Sequence, residues 1–245
     1  MNALEVRGLT KQYPAFTLKD VSFDVPQGAI VGFIGRNGAG KSTTLKSILG
    51  MVHPDSGEVR FFGQDVRQHE RTFKEQIGVV LGGIDFYPKK KVKVITDVTR
   101  RFYRNWDEEK YRHYLTLFSI DESKRVDQLS SGMKVKYLLA LALSHNARLL
   151  ILDEPTSGLD PVSRDELVEL FRAIVADGSR SILFSTHITS DLEKCASHIT
   201  FIKDGEIFHS SAVADFMAAY ADRGATLEDI IVSVERRGLD ESAII

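Results

Sequence analysis

Ile30-Val31-Gly32-Phe33-Ile34-Gly35-Arg36-Asn37-Gly38-Ala39-Gly40-Lys41-Ser42-Thr43 joins five apolar residues to a glycine-rich turn and a Lys-Ser-Thr triplet. The spacing is G-x-x-x-x-G-K-[ST], a pattern with a physical job at each fixed position. Gly35, Gly38 and Gly40 are expected to take positive φ, so that backbone N–H groups converge on a polyphosphate. Lys41 offers a cation to the β- and γ-phosphates, and Ser42 a hydroxyl to Mg²⁺. The apolar run reads as a buried strand. Thr43-Thr44-Leu45-Lys46-Ser47-Ile48-Leu49 reads as a helix ending at Gly50. Strand, loop and helix in that order aim a helix N-terminus, with its positive dipole end, at the phosphates.

Downstream, Arg148-Leu149-Leu150-Ile151-Leu152 is an unbroken apolar run, as expected of a parallel strand covered on both faces. It leads into Asp153-Glu154, two carboxylates at the strand end where open parallel sheets bind ligands. Asp153 is a candidate Mg²⁺ ligand, and Glu154 a candidate to polarise the water that attacks the γ-phosphorus. A lone Asp-Glu pair before Pro155 is otherwise an ordinary acidic turn. Ser181-Ile182-Leu183-Phe184-Ser185-Thr186 reads as another buried strand. Asp160-Pro161 starts a helix, with Asp as N-cap and Pro at the first helical position, and Asp177-Gly178 closes it. Leu129-Ser130-Ser131-Gly132-Met133 precedes an amphipathic run from Lys134 to Leu143. The serines are good N-caps, and a second helix N-terminus is a second place for a phosphate.

Residues 4–26 read as short strands, as do 57–63 and 77–81. Ile199–Ile202 and Glu206–Phe208 flank Lys203-Asp204-Gly205, a hairpin signal. From 86 to 147 aromatic and charged residues mix at helical spacing, which predicts a helical insert in an α/β chain. Lys89-Lys90-Lys91-Val92-Lys93 reads as a solvated face, or as a contact for an acidic partner surface.

The 245 residues are 43% hydrophobic and 27% charged, with a net charge of −2. That balance suits a soluble globular chain and argues against nucleic acid as a partner. The one cysteine, Cys195, excludes an intrachain disulfide and reads as a small buried residue. No apolar run approaches the ~18 residues a bilayer-spanning helix needs. With no signal segment at the N-terminus, a cytoplasmic location is expected.

On these residues the chain resembles the nucleotide-binding ATPase subunit of ABC (ATP-binding cassette) transporters over roughly residues 2–220. The resemblance implies a P-loop NTPase of the α/β class with a RecA-like core, an N-terminal antiparallel β-subdomain and an inserted helical subdomain. In this chain that is one domain: 1–85 and 148–225 as core and β-subdomain, 86–147 as helical subdomain, 226–245 as a short tail. It implies ATP and Mg²⁺ as cofactors. Residues Gly35 to Thr43, with Arg36, Asn37 and Ala39 among them, would hold the nucleotide. Leu129–Met133 is similar to the family signature LSGGQ, with Ser131 and Met133 departing from it. Ser130, Ser131 and Gly132 would then cap the γ-phosphate held by a second protomer, in a homodimer or a heterodimer. Ser157-Gly158-Leu159-Asp160 matches the D-loop of that interface, His187 the switch histidine, and Tyr13 the aromatic that stacks on adenine. Lys41, Glu154 and His187 would be the catalytic residues. The family glutamine after strand 77–81 is replaced by Gly82-Gly83, leaving water or Asp85 to fill its place or turnover slow. The stretch 102–110 is similar to short bacterial subunits that pair with a separate transmembrane permease, often to export peptides or antimicrobials. The implied place is the cytoplasmic face of the membrane. The alternatives are a soluble ATPase acting on ribosome or DNA, and a regulatory cassette with little turnover.

Overall fold

The structure is a computed structural model that describes residues 1–68, 70–81 and 87–235. Its elements are β1 (Asn2–Tyr13), β2 (Phe16–Pro26), β3 (Ile30–Ile34), α1 (Lys41–Ile48), β4 (Ser56–Phe61), β5 (Gln64–Asp65), α2 (Glu70–Gln76), β6 (Ile77–Val80), α3 (Val92–Thr99), α4 (Glu108–Leu117), α5 (Ser131–Ser144), β7 (Leu149–Asp153), α6 (Pro161–Val175), β8 (Ser181–Thr186), α7 (Thr189–Cys195), β9 (His198–Lys203), β10 (Glu206–Ala212), α8 (Val213–Ala219) and α9 (Leu227–Glu235).

Two sheets carry the fold. An antiparallel sheet runs β2-β1-β4-β5, and a six-stranded sheet runs β10-β9-β3-β8-β7-β6. In the second, β6, β7, β8, β3 and β9 pair in parallel, and only β10 is antiparallel. Every residue of β3, β7 and β8 is buried, which is why each is built on an apolar run, with polar residues only at its ends: Asp153 in β7, and Ser181, Ser185 and Thr186 in β8. Alternate residues serve different cores. Val31, Phe33, Leu149 and Ile151 join α1 and the antiparallel sheet. Ile30, Ile34, Leu150 and Leu152 join α5, α6, α7 and α9 on the other face. The fold is therefore the α/β P-loop architecture with an antiparallel subdomain, as expected.

Several local expectations are corrected. Residues 4–26 form two long strands, because the Tyr13–Phe16 turn lets β1 and β2 pair along almost their full length. The first helix begins at Lys41, two residues before the predicted start, and Gly50 follows it with φ +70°. Gly38 and Gly40 have φ +85° and +113°, whereas Gly35 does not take positive φ. Gly35 is needed for space: a Cβ there would stand 2.4 Å from the Ile202 carbonyl oxygen. Helix α2 was not anticipated, and the stretch read as a tail contains α9. Gly82, Gly83 and Asp85 lie outside the described residues.

The insert read at 86–147 carries α3, α4 and α5 around a cluster that includes Val92, Ile95, Tyr111, Leu115 and Tyr137. The buried Thr96 hydroxyl links the Tyr111 and Tyr137 hydroxyls at 2.7 and 2.9 Å. Burial raises both phenols above their ordinary range. Lys89, Lys90, Lys91 and Lys93 are exposed, in keeping with a solvated face. Cys195 is half-buried, and burial pushes its thiol up to about 12, which makes it a poor nucleophile.

His145 closes α5. Its ring stacks on Tyr103 at 3.8 Å and its Nδ1 donates to the Glu75 carbonyl at 3.2 Å. Desolvation lowers its pKa from 6.5 to about 4, against the opposing pull of that hydrogen bond. The unfolded chain accepts a proton at His145 near pH 6.5, and the folded chain refuses it until about pH 4. Stability contributed at this site is thus lost as pH falls through that window, by up to about 3 kcal/mol. Urea unfolding of His145→Phe should show a shallower decline over the same pH range than the parent chain. Equal slopes would place the acid sensitivity elsewhere.

Candidate functional site

Three buried strands end at one edge. In register, Ile34 of β3 lies beside Thr186 of β8, and Ser185 of β8 beside Asp153 of β7. The next residues of each chain segment therefore emerge together: Gly35, Glu154 and His187. Adjacent parallel strands of equal height do this without any help from the loops.

Residues 35–40 form the loop between β3 and α1. Gly35, Ala39 and Gly40 are buried, while Arg36, Asn37 and Gly38 are exposed. Open space surrounds Gly38, where an added Cβ would meet nothing within 4 Å. Lys41 is the first residue of α1 and is only 6% exposed. Its ammonium donates to the Gly35 carbonyl at 2.7 Å and the Arg36 carbonyl at 3.3 Å. It also pairs with Glu154 Oε1 at 3.4 Å. Ser42 and Thr43 follow, half-buried in the first turn. Loop N–H groups, a helix N-terminus and an enclosed ammonium together suit a polyphosphate.

Glu154 is the pivot of the opposite wall. Its φ of +50° is left-handed, a conformation that costs a residue bearing a Cβ roughly 1–2 kcal/mol. The strain is held by two hydrogen bonds from its N–H, to Ser185 O at 3.1 Å and Ser185 Oγ at 2.9 Å. Its carboxylate spans two partners, Lys41 through Oε1 and His187 Nδ1 through Oε2 at 2.8 Å. A carboxylate only accepts, so His187 donates from Nδ1 and keeps Nε2 for another group. Asp153 is 8% exposed and accepts from Ser185 Oγ at 2.5 Å. Ser185 thus positions both carboxylates. Sequence reading passed over it, although a serine beside the apolar run Ile182-Leu183-Phe184, at the C-terminal end of a parallel strand, is a signal that could have found it.

The remaining predicted residues fall into two groups. Tyr13, at the end of β1, lines an open groove of about 410 Å³ that also touches Gly38 and Phe16. Lys11 sits 5.9 Å from the centre of its ring. That places a flat aromatic surface within the same groove as the loop. Ser130, Ser131 and Gly132 are elsewhere. Ser130 caps α5, its Oγ accepting from Met133 N at 3.2 Å, and Ser131 opens the helix at an exposed position. A Cβ on Gly132 would be 3.6 Å from Ser163, in the first turn of α6. Asp160 caps that turn, accepting from Val162 N and Ser163 N at 3.0 Å each. Its carboxyl is held below the usual range by hydrogen bonds from Ser163. Among the described residues, no hydrogen bond or ion pair joins Ser130–Gly132 to the loop at 35–43.

Residues 18–157 match the family model described as ABC transporter. The chain is 34% identical over 205 residues to the ABC transporter ATP-binding protein YtrB of Bacillus subtilis, covering 83% of this chain and 70% of that protein. It is 31% identical over 207 residues to the bacitracin transport ATP-binding protein BcrA of Bacillus licheniformis (83% and 68% covered). Against the Nod factor export ATP-binding protein I of Burkholderia lata, identity is 32% over 241 residues (92% and 79%). Among solved structures, an ATP-binding subunit of an ABC transporter superposes with a TM-score of 0.84 at 29% identity, covering 96% of this chain and all of that one.

The Ser185 arrangement makes a stability prediction. Ser185→Ala removes the donor to a buried Asp153 oxygen and leaves the Glu154 N–H with the Ser185 carbonyl alone, and should cost about 1–3 kcal/mol in urea unfolding. Ser185→Thr, which keeps the hydroxyl, should lose less. A Ser185→Ala chain as stable as its parent would show that the hydroxyl bonds are dispensable.

Proposed function

The chain belongs to the ABC transporter family of ATP-binding subunits, which are ATPases, and we propose that it is the motor of an exporter. In this reading it serves a separate transmembrane permease from the cytoplasmic side. One observation carries it: Lys41, Glu154 and His187 meet at the strand edge from which the phosphate loop springs. No described helix is long and apolar enough to cross a membrane, which suits a subunit that needs a membrane partner.

The loop N–H groups of Gly35 to Thr43 and the Lys41 ammonium bind the triphosphate, and Tyr13 stacks on the base. Ser42, in the first turn of α1, offers a hydroxyl, and Asp153, at the end of β7, a buried carboxylate. That is a fitting protein share for Mg²⁺, whose other ligands are phosphates and water. Bound there, the ion supplies positive charge to the phosphate oxygens. Glu154 accepts a proton from the attacking water, held for that task by Ser185 beneath and His187 beside it. His187 directs Nε2 at the γ-phosphate. The work is positioning and electrostatics, as phosphoryl transfer requires.

The exposed N-terminus of α5 has no partner at the loop of its own chain. It supports a closed dimer in which Ser130, Ser131 and Gly132 seal the nucleotide of a second protomer, with Asp160 at the interface. Homodimer and heterodimer use the same surfaces. Export of a peptide or drug-like substrate is favoured by the relatives named for bacitracin transport and Nod factor export.

Two variants test the assignment. Lys41→Ala should weaken ATP binding by roughly tenfold to a hundredfold, the loss of one charge-assisted contact set, measured by equilibrium binding. Glu154→Gln should keep ATP but lower steady-state phosphate release by about 10²–10⁴-fold. Loaded with ATP, it should also elute at twice the monomer mass, and Ser131→Arg added to it should return it to the monomer. Normal phosphate release by Glu154→Gln would remove Glu154 from the base role, and a strictly monomeric ATP-loaded variant would remove the sealed dimer.

A further inference from the structure

The phosphate loop rests on β9 and the turn after it. A Cβ on Gly35 would meet the Ile202 carbonyl oxygen at 2.4 Å, and one on Gly40 would meet Ile202 Cδ1 at 3.2 Å. The Gly205 N–H donates to the Ala39 carbonyl at 3.1 Å, and the Gly205 carbonyl accepts from Lys19 N at 2.8 Å. The fit is tight: a Cβ on Gly205 would stand 2.0 Å from the Thr17 carbonyl oxygen. Asp204 and Gly205 both have positive φ, 48° and 85°, the backbone of a two-residue hairpin turn. The turn is thus wedged between the loop and β2, with no slack on either side.

Lys203 stands between Ile202 and that turn. Its Nζ donates to the Val234 carbonyl of α9 at 2.7 Å. Val234 lies in the last turn of α9, where carbonyls lack partners within the helix and a cation is favoured. The other end of α9 is held as well, since Leu227 N donates to Glu193 Oε1 of α7 at 2.9 Å. Between the two clamps Leu227, Ile230 and Val234 are buried in the cluster that holds β9 and α7. Helix α7 begins two residues after His187. One clamp therefore ends beside the turn that braces Ala39, and the other on the helix that comes after His187.

We infer that Lys203 is a positioning residue for nucleotide binding: it latches α9 to the turn that braces Ala39, so the packing of α9 and the set of the phosphate loop share one equilibrium. The inference rests on the nucleotide-binding reading of the loop. A displaced α9 lets the turn at 203–205 drift and spreads the loop N–H groups; a nucleotide on the loop holds α9 down by the same free energy.

The test uses the full chain and MgADP, which reports on the loop without turnover. Lys203→Met keeps the aliphatic stem and removes the donor, and Lys203→Arg restores a donor. By calorimetry, Lys203→Met should raise the MgADP Kd by about fivefold or more, and Lys203→Arg should return it to within about twofold of the parent. At saturating ATP the turnover of Lys203→Met should stay near that of the parent. Ile230→Ala, which loosens α9 at a different point, should raise the Kd too, and the double variant should lose no more than whichever single variant loses more. If Ile230→Ala does not fold, the Lys203 pair decides alone. Parental affinity in Lys203→Met, or additive losses in the double variant, overturns the latch. A parent chain that binds no MgADP overturns the nucleotide reading, and the latch with it.

Discussion

An ammonium that is 6% exposed must be compensated, and Lys41 is compensated by two carbonyls of its own loop and by one carboxylate from across the sheet. Much of the fold can be read as what is required to deliver that carboxylate. Glu154 reaches Lys41 only because β7 and β3 flank β8 at equal height. It turns toward the loop only because its backbone is held left-handed by Ser185. The same turn hands its second oxygen to His187. One ion pair thus ties three strand ends into a single cationic and acidic pocket, the arrangement that a charged, transferring phosphoryl group demands.

Two helix N-termini, one at the site and one away from it, sit in different surroundings. That of α1 is enclosed and faces its own loop. That of α5 is exposed, capped by Ser130, and packed beside the start of α6. A dipole end in open solvent contributes little, because water screens it. It gains strength when a second surface excludes that water. The position of α5 makes chemical sense in the proposed assembly, whose halves would complete each other, and Asp160 caps the neighbouring helix beside it.

Much of this was legible in the chain. β3, β7 and β8 were readable almost to the residue, because strands buried on both faces admit little besides apolar side chains. The start of α6 was equally plain, since Asp160-Pro161 leaves few alternatives. What stayed hidden depends on register or on space. Ser185 matters because β8 places it opposite Asp153, a fact of pairing that no local pattern encodes. Gly35 looked like a turn glycine, yet it is small because Ile202 passes behind it. Helix α2 carries a single apolar residue, Phe73, among charged and polar ones, whereas α9 shows Leu227, Ile230, Ile231 and Val234 at helical spacing, a signal that could have found it.

The left-handed backbone at Glu154 has an evolutionary corollary. Glycine adopts that conformation freely, so losing this side chain would relieve the backbone by about 1–2 kcal/mol but strip the enclosed Lys41 ammonium of its carboxylate. Backbone comfort and charge balance therefore pull in opposite directions at one codon. A drifting gene copy could not shed the strained residue there without also giving up the cation it answers.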